Sequence, residues 1–292
     1  MRTRFAPSPT GHLHLGHVVN AIYVWGLARA GGGRVLLRME DHDRIRCRPE
    51  YESSILEDLE WLGFAPDEGL HPLLRQSDRG AVYQEALEQL RAAHHVYACD
   101  CSRRHIMGER YVGFCRDRHL AADFGRGLRI QIDEGLETFD DLFLGTIEHE
   151  PARQCGDLLL RDRDGNWTYQ FAVTVDDVLQ QITDVIRGED LASSTGRQLR
   201  LRRMLGNTDR PRFAHHPLIL KPGGEKLSKS AADVGVRELR QAGLSPADVI
   251  GRAAAAVGLV EHIEPLAVQD LGRLFVAKDA PRVGRIHRAS SR

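Results

Sequence analysis

Apolar residues in the first hundred positions follow a strand pattern and a helix pattern in turn. Short apolar runs over 2–5 and 34–39 predict buried strands, and a helical pattern over 14–30 lies between them. Another helix is predicted over 77–94. A further helical face, ended by a glycine, is formed by Ile55, Leu56, Leu59, Leu62 and Gly63. This order predicts a parallel sheet with helices on both faces.

Residues 96–151 interrupt that alternation and are rich in Cys, His, Gly and Arg, which indicates an insertion. A strand over 158–161, a helix from about 169 and a strand over 182–186 restore it. After residue 231 the pattern becomes helical, and Ser245-Pro246 is typical of a helix start. We therefore predict an α/β protein with a Rossmann-type parallel sheet. Its segments are the first half of the parallel-sheet domain, an insertion, the second half of that domain and a C-terminal helical segment, at 1–95, 96–151, 152–231 and 232–292.

Composition excludes several classes of protein. Hydrophobic residues make up 42% and charged residues 28%, as in ordinary globular proteins, and no apolar run approaches the length of a membrane span. The N-terminus has no apolar signal core, so we expect a cytoplasmic protein. A net charge of -1 excludes a strongly cationic nucleic-acid coat but allows a local basic face. The 5 cysteines, an odd number, favour metal binding or isolated thiols over disulfides.

His14 and His17 lie between the first predicted strand and its helix. Three positions apart at a helix start, they share a face where unpaired N–H groups and the helix dipole favour a phosphate. Gly16 leaves room for a flat ring close to the backbone. The imidazoles can donate hydrogen bonds to phosphate oxygens, although a metal pair or two surface histidines would give the same pattern.

Two other polar segments have positions that suit ligand binding. Lys226 and Lys229 follow a glycine-rich stretch and can hold a leaving pyrophosphate, or they belong to a solvated loop. Glu40 and Asp41 follow the apolar strand over 34–39. Ligands bind beyond the carboxyl ends of strands in open parallel sheets, although a plain polar turn is the alternative here.

Three cysteines lie close together in the predicted insertion, at Cys99, Cys101 and Cys115. Three thiolates suit tetrahedral zinc, which takes four ligands. The fourth is Tyr111 or a nearby histidine such as His105, and three buried structural cysteines are the alternative. The sequence thus predicts a zinc-bearing insertion.

Together these segments resemble the class I aminoacyl-tRNA synthetases, whose signatures HIGH and KMSKS match His14-Leu15-Gly16-His17 and Lys226-Leu227-Ser228-Lys229-Ser230. Three further segments resemble the glutamyl branch of this class: residues 4–11 (RFAPSPTG), 38–41 (RMED) and 185–190 (VIRGED). Within that branch, Cys99-Asp100-Cys101, Tyr111 and Cys115 are similar to the zinc site of the glutamyl-queuosine tRNA(Asp) synthetase family. The chain also stops about where an anticodon-binding domain would begin.

The resemblance implies roles for the matching residues. Catalysis would use His14, His17, Lys226 and Lys229; ATP would contact His14, Gly16, His17 and Lys229; and Zn²⁺ would be held by Cys99, Cys101, Tyr111 and Cys115. Glutamate would contact Arg4, Phe5, Ala6, Pro7, Ser8, Glu40, Tyr169 and Arg187. Arg4 suits the side-chain carboxylate and Glu40 the ammonium, and a bidentate Arg–carboxylate pair favours glutamate over glutamine about tenfold or more.

The implied reaction converts L-glutamate and ATP, with Mg²⁺, into glutamyl-adenylate and passes the glutamyl group to the queuosine base in the anticodon of tRNA(Asp). The substrate carboxylate attacks the α-phosphorus, so the protein's work is positioning and charge stabilisation. We expect a monomer without membrane contact. One alternative is a truncated glutamyl-tRNA synthetase that charges the 3′ end of tRNA(Glu). The other is a non-catalytic tRNA- or amino-acid-binding module. Such a module has little use for groups that stabilise phosphates, so this alternative is disfavoured by the presence of His14, Gly16, His17 and Lys229.

Overall fold

The structure, a computed structural model, describes residues 1–43, 45–102, 110–219 and 235–276. Lys226, Lys229 and His105 therefore lie outside the described residues. The strands are β1 Arg2–Phe5, β2 Arg34–Leu37, β3 Val96–Cys99, β4 Gly127–Ile130, β5 Glu137–Asp141, β6 Gly145–His149, β7 Leu158–Arg161, β8 Asp184–Gly188 and β9 Arg212–His216. The helices are α1 Leu15–Ala30, α2 Pro49–Leu62, α3 Gly80–Ala93, α4 Pro151–Gln154, α5 Tyr169–Leu179, α6 Thr195–Met204, α7 Val236–Gln241 and α8 Pro246–Ala256.

Parallel strand pairs form the part of the fold that carries the candidate site. β1 pairs with β2, β8 pairs with β9, and the end of β5 pairs with β9, all in parallel. The N–H of Thr183, just before β8, donates to the carbonyl of Arg2 over 2.9 Å, so β1 lies beside the sheet of order β6-β5-β9-β8. The predicted α/β fold with a parallel sheet is confirmed.

A second sheet is antiparallel, with β4 between β3 and β7, so the predicted parallel arrangement does not extend to it. β4 comes from the predicted insertion and β7 from the predicted second half, while β5 of the predicted insertion pairs with β9. Strand pairing therefore crosses the boundary placed at residue 151. Hydrophobic periodicity is local and does not specify which distant strands pair. The three boundaries between the four predicted segments stay a prediction.

Helix α1 is the centre of the main hydrophobic core. Its residues Ile22, Tyr23, Val24 and Trp25 are at most 1% exposed, because β1, β2, α2 and α8 all contribute to the cluster around it. The 3-10 segment Val268–Phe275 packs against α1. Phe275 packs so closely on Gly26 that a Cβ there would lie 2.2 Å from its ring. The C-terminal segment thus fixes the helix whose first turn carries the predicted histidines.

None of the helices in the described ranges combines the length and apolar composition needed to cross a membrane.

Candidate active site

A cavity of about 660 Å³ lies at the carboxyl ends of β1, β2, β8 and β9 and at the start of α1. It brings together the predicted phosphate group of His14, Gly16 and His17 and all the residues predicted to contact glutamate: Arg4, Phe5, Ala6, Pro7, Ser8, Glu40, Tyr169 and Arg187. The other lining residues had no role predicted from the sequence. Thr10, Ile186, Gly188 and Asp190 lie within the motifs at 4–11 and 185–190, whereas Asn20, Leu191, His216 and Leu218 lie outside them.

The first turn of α1 holds two histidine rings against each other. His14 is the N-cap residue, and its Nδ1 accepts the backbone N–H of Gly16 over 3.1 Å. His17 Nδ1 accepts the backbone N–H of His14, also over 3.1 Å, and the ring centroids are 3.9 Å apart. An Nδ1 that accepts carries no proton, so each neutral ring has its proton on Nε2. The cap therefore makes both rings Nε2–H donors at a helix N-terminus, where phosphate binding is favoured.

Gly16 is required by the ring of His14. A Cβ at residue 16 would lie 2.9 Å from His14 Cε1 and 3.0 Å from its Nδ1, closer than packed atoms normally approach. The glycine thus allows the His14 ring to fold back over the helix start. The missing side chain at residue 16 therefore makes space for the His14 ring and for a flat ring of a ligand that binds nearby.

Arg4 and Arg38 share one buried carboxylate. Arg4 Nε donates to Asp177 Oδ1 over 3.1 Å, and Arg38 Nη1 donates to the same oxygen over 2.9 Å. Burial raises the pKa of Asp177, but the charges of both arginines outweigh burial and hold that pKa below its usual value. Arg4 Nη1 donates to the Ile186 carbonyl over 3.3 Å, and none of the described hydrogen bonds uses Arg4 Nη2.

Arg38 is enclosed by carboxylates. Its Nη2 donates to Glu40 Oε1 over 2.9 Å, and its Nε lies 3.8 Å from Asp176 Oδ2. Asp176 also accepts hydrogen bonds from Gln76, Arg79 and Tyr83. Glu40 lines the cavity, and none of the described hydrogen bonds uses its Oε2. Arg38 therefore fixes Glu40 through one oxygen while the other suits a cationic group.

Arg187 is a buried cation whose hydrogen-bond partners are all neutral. Nε donates to His215 Nε2 over 3.1 Å, Nη1 to Gln198 Oε1 over 2.8 Å and Nη2 to Thr195 Oγ1 over 2.8 Å. Within the described ranges, no carboxylate oxygen lies within 4.0 Å of its guanidinium nitrogens. Burial lowers the pKa of Arg187. A buried charge without a contacting counter-charge is costly, so an anionic ligand is favoured beside it.

The acidic residues after β2 have different partners. Asp41 accepts the backbone N–H of Ser77 over 2.8 Å, at the start of the 3-10 turn Gln76–Arg79, and Asp43 pairs with the exposed Arg46 over 2.6 Å. Neither residue lines the cavity, whereas Glu40 does. The polar-turn interpretation therefore fits Asp41 and Asp43, and the ligand-binding interpretation fits Glu40.

Asn20 and His216 form a polar pair on the cavity wall. Burial lowers the pKa of His216 to about 4, so the ring is neutral near pH 7. Its Nδ1 donates to the Pro217 carbonyl over 2.9 Å, and its Nε2 accepts from Asn20 Nδ2 over 3.0 Å. Tyr23 stacks on the ring with centroids 4.8 Å apart. The sequence signal was helical spacing, because Asn20 lies one turn after His17.

The three cysteines predicted to bind zinc come together with Tyr111. The Sγ atoms of Cys99, Cys101 and Cys115 all lie within 4.8 Å of one another. The Tyr111 hydroxyl lies 3.4 Å from Cys99 Sγ and 3.8 Å from Cys101 Sγ. Tetrahedral zinc with Zn–S bonds of about 2.3 Å separates its sulfur ligands by roughly 3.8 Å. Three thiols and one phenol at these distances fit a zinc ion.

The backbone of Tyr111 is fixed by the segment before β7. Its N–H donates to the Cys155 carbonyl over 2.9 Å, and its carbonyl accepts the N–H of Asp157 over 3.1 Å. Between these two, Gly156 has φ +65, and a Cβ there would lie 1.8 Å from the Tyr111 carbonyl oxygen. Glycine alone allows this approach. Burial and then hydrogen bonds with Cys99 and Cys115 raise the pKa of the Tyr111 hydroxyl above its usual range.

Sequence reasoning missed the buried charges that support the cavity. Asp176 and Asp177 lie among buried apolar residues of helix α5, and Arg38 follows the run Val35–Leu37 of strand β2. Buried charges are nearly always paired, so charged residues inside apolar segments were an available signal. That signal does not name the partners, which come together only in the fold.

The fold and the cavity define a class of protein. Residues 1–254 match the family described as tRNA synthetases class I (E and Q), catalytic domain. The chain belongs to this family.

Individual members of this family show which of its proteins the chain is similar to. The chain is 39% identical to a glutamyl-Q tRNA(Asp) synthetase from Symbiobacterium thermophilum, over 96% of this chain and 93% of that protein. It is 43% identical to a glutamate–tRNA ligase from Nitratidesulfovibrio vulgaris over 84% of this chain, and the match spans 54% of the ligase. A crystal structure of a glutamate tRNA ligase from Elizabethkingia meningosepticum, in complex with its amino acid, has a TM-score of 0.78 and 30% identity, covering 94% of this chain and 64% of that chain.

Proposed function

We propose that this protein activates glutamate with ATP as glutamyl-adenylate and transfers the glutamyl group to the queuosine base in the anticodon of tRNA(Asp). The observation that carries the proposal is one cavity containing two Nε2–H donors at a helix start, a buried arginine and a glutamate carboxylate. Among the described residues, no carboxylate contacts the arginine and no hydrogen bond uses the second oxygen of the glutamate. The relative named glutamyl-Q tRNA(Asp) synthetase, aligned over 96% of this chain, supports the choice of acceptor.

Glutamate fits the charged groups of the cavity. Its ammonium would face Glu40 Oε2, and its two carboxylates would face Arg187 and Arg4 Nη2. Tyr169 would add a neutral hydroxyl, because burial raises its pKa despite the nearby Arg187 charge. Charge-assisted hydrogen bonds of about 1.5–3 kcal/mol each would favour glutamate over its amide.

ATP would bind with its phosphates at the start of α1. The Nε2–H groups of His14 and His17 would stabilise charge on the phosphates as the adenylate forms, and Gly16 would keep the first turn clear. Lys226 and Lys229 are proposed for the same reaction from the sequence alone. Mg²⁺ would neutralise phosphate charge when bound.

Zinc is proposed as a structural ion held by Cys99, Cys101, Cys115 and Tyr111. All four donors come from one short segment that is anchored against Gly156, so the ion would order this part of the chain rather than take part in the reaction. The Tyr111 phenol would lose its proton only on binding the cation.

The decisive experiment measures transfer of labelled glutamate, with ATP, to two tRNA pools, one containing queuosine and one lacking it. The expected result is label on tRNA(Asp) in the first pool only, which survives removal of the 3′-terminal adenosine and is lost in base. An Arg187→Met variant should lose the labelling, while Arg126→Met, at a surface residue paired with Asp123, should keep it.

The second candidate is a glutamyl-tRNA synthetase activity on tRNA(Glu), favoured by the 43% identity to a glutamate–tRNA ligase. It predicts label on tRNA(Glu) from both pools, and loss of that label with the 3′-terminal adenosine. Pyrophosphate exchange with glutamate in the absence of RNA would favour the first proposal. Glutamate binding without any exchange would instead indicate a binding module.

A further inference from the structure

Asp141 is fixed at the end of β5 by a set of N–H groups. Its Oδ1 accepts the backbone N–H groups of Phe143 and Leu144, each over 3.0 Å, and its Oδ2 lies 2.6 Å from His215 Nδ1. The side chains of Asp141 and His215 are both 0% exposed. The carboxylate is therefore satisfied by hydrogen bonds and cannot turn toward another partner.

Arg187 determines the tautomer of His215. The Nε–H of arginine is always a donor, so His215 Nε2 accepts with a lone pair and carries no proton. The ring's one proton is on Nδ1 and is donated to Asp141. Burial lowers the pKa of His215, the Asp141 hydrogen bond opposes this, and the Arg187 charge adds to the lowering. The neutral ring thus separates the Asp141 carboxylate from the Arg187 guanidinium.

Gln198 presents a neutral oxygen to Arg187 in a fixed orientation. Its Nε2 donates to Gln170 Oε1 over 2.8 Å, and Gln170 Nε2 in turn donates to Ser194 Oγ over 2.9 Å. Because Gln198 Nε2 is held by this hydrogen bond to Gln170, the Oε1 of Gln198 faces Arg187 Nη1. The chain of hydrogen bonds through Gln198, Gln170 and Ser194 thus holds the Arg187 guanidinium in one place without adding a negative charge.

Arg38, a second buried arginine of the same fold, has charged partners where Arg187 has neutral ones. It contacts Glu40 and Asp177 and lies near Asp176, and it does not line the cavity. Arg187 lines the cavity and has neutral acceptors on all three of its donor nitrogens. This contrast between the two buried arginines indicates that the negative charge that balances Arg187 comes from a bound ligand.

We propose that Asp141, His215 and Gln198 are positioning residues that hold Arg187 rigid without neutralising it, so that its charge selects a substrate carboxylate. This rests on the proposed binding of glutamate in the cavity. The positioning residues touch Arg187 or each other, and their effect on substrate passes through the guanidinium.

The sharpest test is Gln198→Glu, which keeps the side-chain shape and places a carboxylate at the Nη1 contact. Gln170 can rotate its amide to donate to the new oxygen, so the packing is kept. The expected result in glutamate-dependent pyrophosphate exchange is a KM for glutamate raised at least about tenfold, with the KM for ATP unchanged. The thermal midpoint should hold or rise, because the new carboxylate gives the buried guanidinium a counter-charge. Gln198→Met removes the same hydrogen bond without adding charge and should raise that KM less.

A second variant tests the tautomer. Asp141 Oδ2 also accepts the backbone N–H of His215 over 3.1 Å, and Oδ1 lies 3.3 Å from the same nitrogen. In Asp141→Asn, the amide oxygen takes the place of Oδ1 and accepts the three backbone N–H groups, while the amide nitrogen faces His215 Nδ1. The ring proton then moves to Nε2 and opposes the Arg187 donor. The KM for glutamate should rise while the KM for ATP stays constant. His215→Gln, whose amide oxygen can accept from Arg187 Nε, should retain more glutamate affinity than His215→Leu.

The outcomes separate this inference from the proposed function. If the unaltered protein shows no glutamate-dependent exchange, the proposed function is wrong. If it exchanges normally and Gln198→Glu has the same KM for glutamate as the unaltered protein or as Gln198→Met, the role of the neutral acceptors is wrong and the function stands. A parallel rise in the KM for ATP would show general damage to the site, which also contradicts the inference.

Discussion

His17 accepts the backbone N–H of His14 through Nδ1, so the second histidine of the motif closes the helix cap that the first one begins. The same hydrogen bond fixes the proton of His17 on Nε2. The groups proposed to act on phosphate are therefore also part of the helix cap, which is worth about 1 kcal/mol. Losing either ring would change both stability and phosphate contacts.

Gly16→Ala is expected to separate these two effects. Alanine favours the helix by up to about 1 kcal/mol over glycine, so the thermal midpoint should hold or rise. The added Cβ, 2.9 Å from His14 Cε1, would displace the ring, and the exchange rate should fall roughly 10- to 100-fold. Gly80→Ala is the matched control, since a Cβ at the start of α3 meets nothing within 4 Å. An unchanged rate in Gly16→Ala would contradict the role given to the His14 ring.

Asp177→Asn should be strongly destabilising. The substitution leaves Arg4 and Arg38 as buried guanidiniums that have lost a shared carboxylate, and we expect a loss of about 3 kcal/mol in the free energy of unfolding. Glu88→Gln, which breaks the exposed pair with Arg91, should cost less than about 0.5 kcal/mol. Urea denaturation of both variants checks the difference. Similar small losses in the two would mean that the buried network does not support the fold.

Asp58→Asn should stabilise the protein at neutral pH. Asp58 is 1% exposed, its Oδ2 accepts no hydrogen bond from the described residues, and burial raises its pKa from 3.8 to about 6. Between these values the folded state binds more protons than the unfolded state, so the stability due to this group falls as pH rises and stays low above pH 6.

The gain in Asp58→Asn should therefore be about 1–3 kcal/mol at pH 7.5 and near zero at pH 4. Denaturation at the two values measures it, with Asp123→Asn, at a 71% exposed side chain, as the control. An equal effect at both pH values would show that ionisation of Asp58 is not the cause.

Tyr111→Phe should weaken zinc binding without abolishing it. Three thiolates remain, and one ligand position opens, so we expect about one zinc per chain with affinity lower by about tenfold or more. Cys99→Ser and Cys115→Ser should lose the metal. Cys155→Ser should keep it, because that thiol donates to the Pro151 carbonyl over 3.1 Å, outside the cluster. Metal analysis and chelator competition test the series, and an unchanged affinity in Tyr111→Phe would place the fourth ligand elsewhere.

Local elements followed closely from the sequence. The helix predicted over 14–30 is Leu15–Ala30 with His14 as its cap, and the strand predicted over 2–5 is Arg2–Phe5. The helix predicted over 77–94 is divided into the 3-10 turn Gln76–Arg79 and Gly80–Ala93. Each of these depends on residues within a few positions of one another, which is the range over which periodicity and capping act.

Part of the cavity lining also followed from the sequence, because those residues lie at strand ends and at one helix start. Arg4, Glu40 and Arg187 are each near the carboxyl end of a parallel strand, and such ends meet at one edge of a sheet. The supporting contacts did not follow. Arg4 finds Asp177 across 173 positions, and Asp141 meets His215 across 74, so no local pattern specifies either pair.

The sequence by itself predicted the family, the strands and helices of the first hundred residues and part of the cavity lining, since these depend on short segments. Only the tertiary structure decided which buried charges share partners and which buried arginine has no contacting carboxylate among the described residues. Arg38 and Arg187 both lie at the ends of apolar strands, yet Arg38 meets carboxylates and Arg187 meets His215, Gln198 and Thr195. The physical reason is that a buried charge is balanced by whatever the fold places within a few ångströms of it, and that depends on contacts between distant parts of the chain.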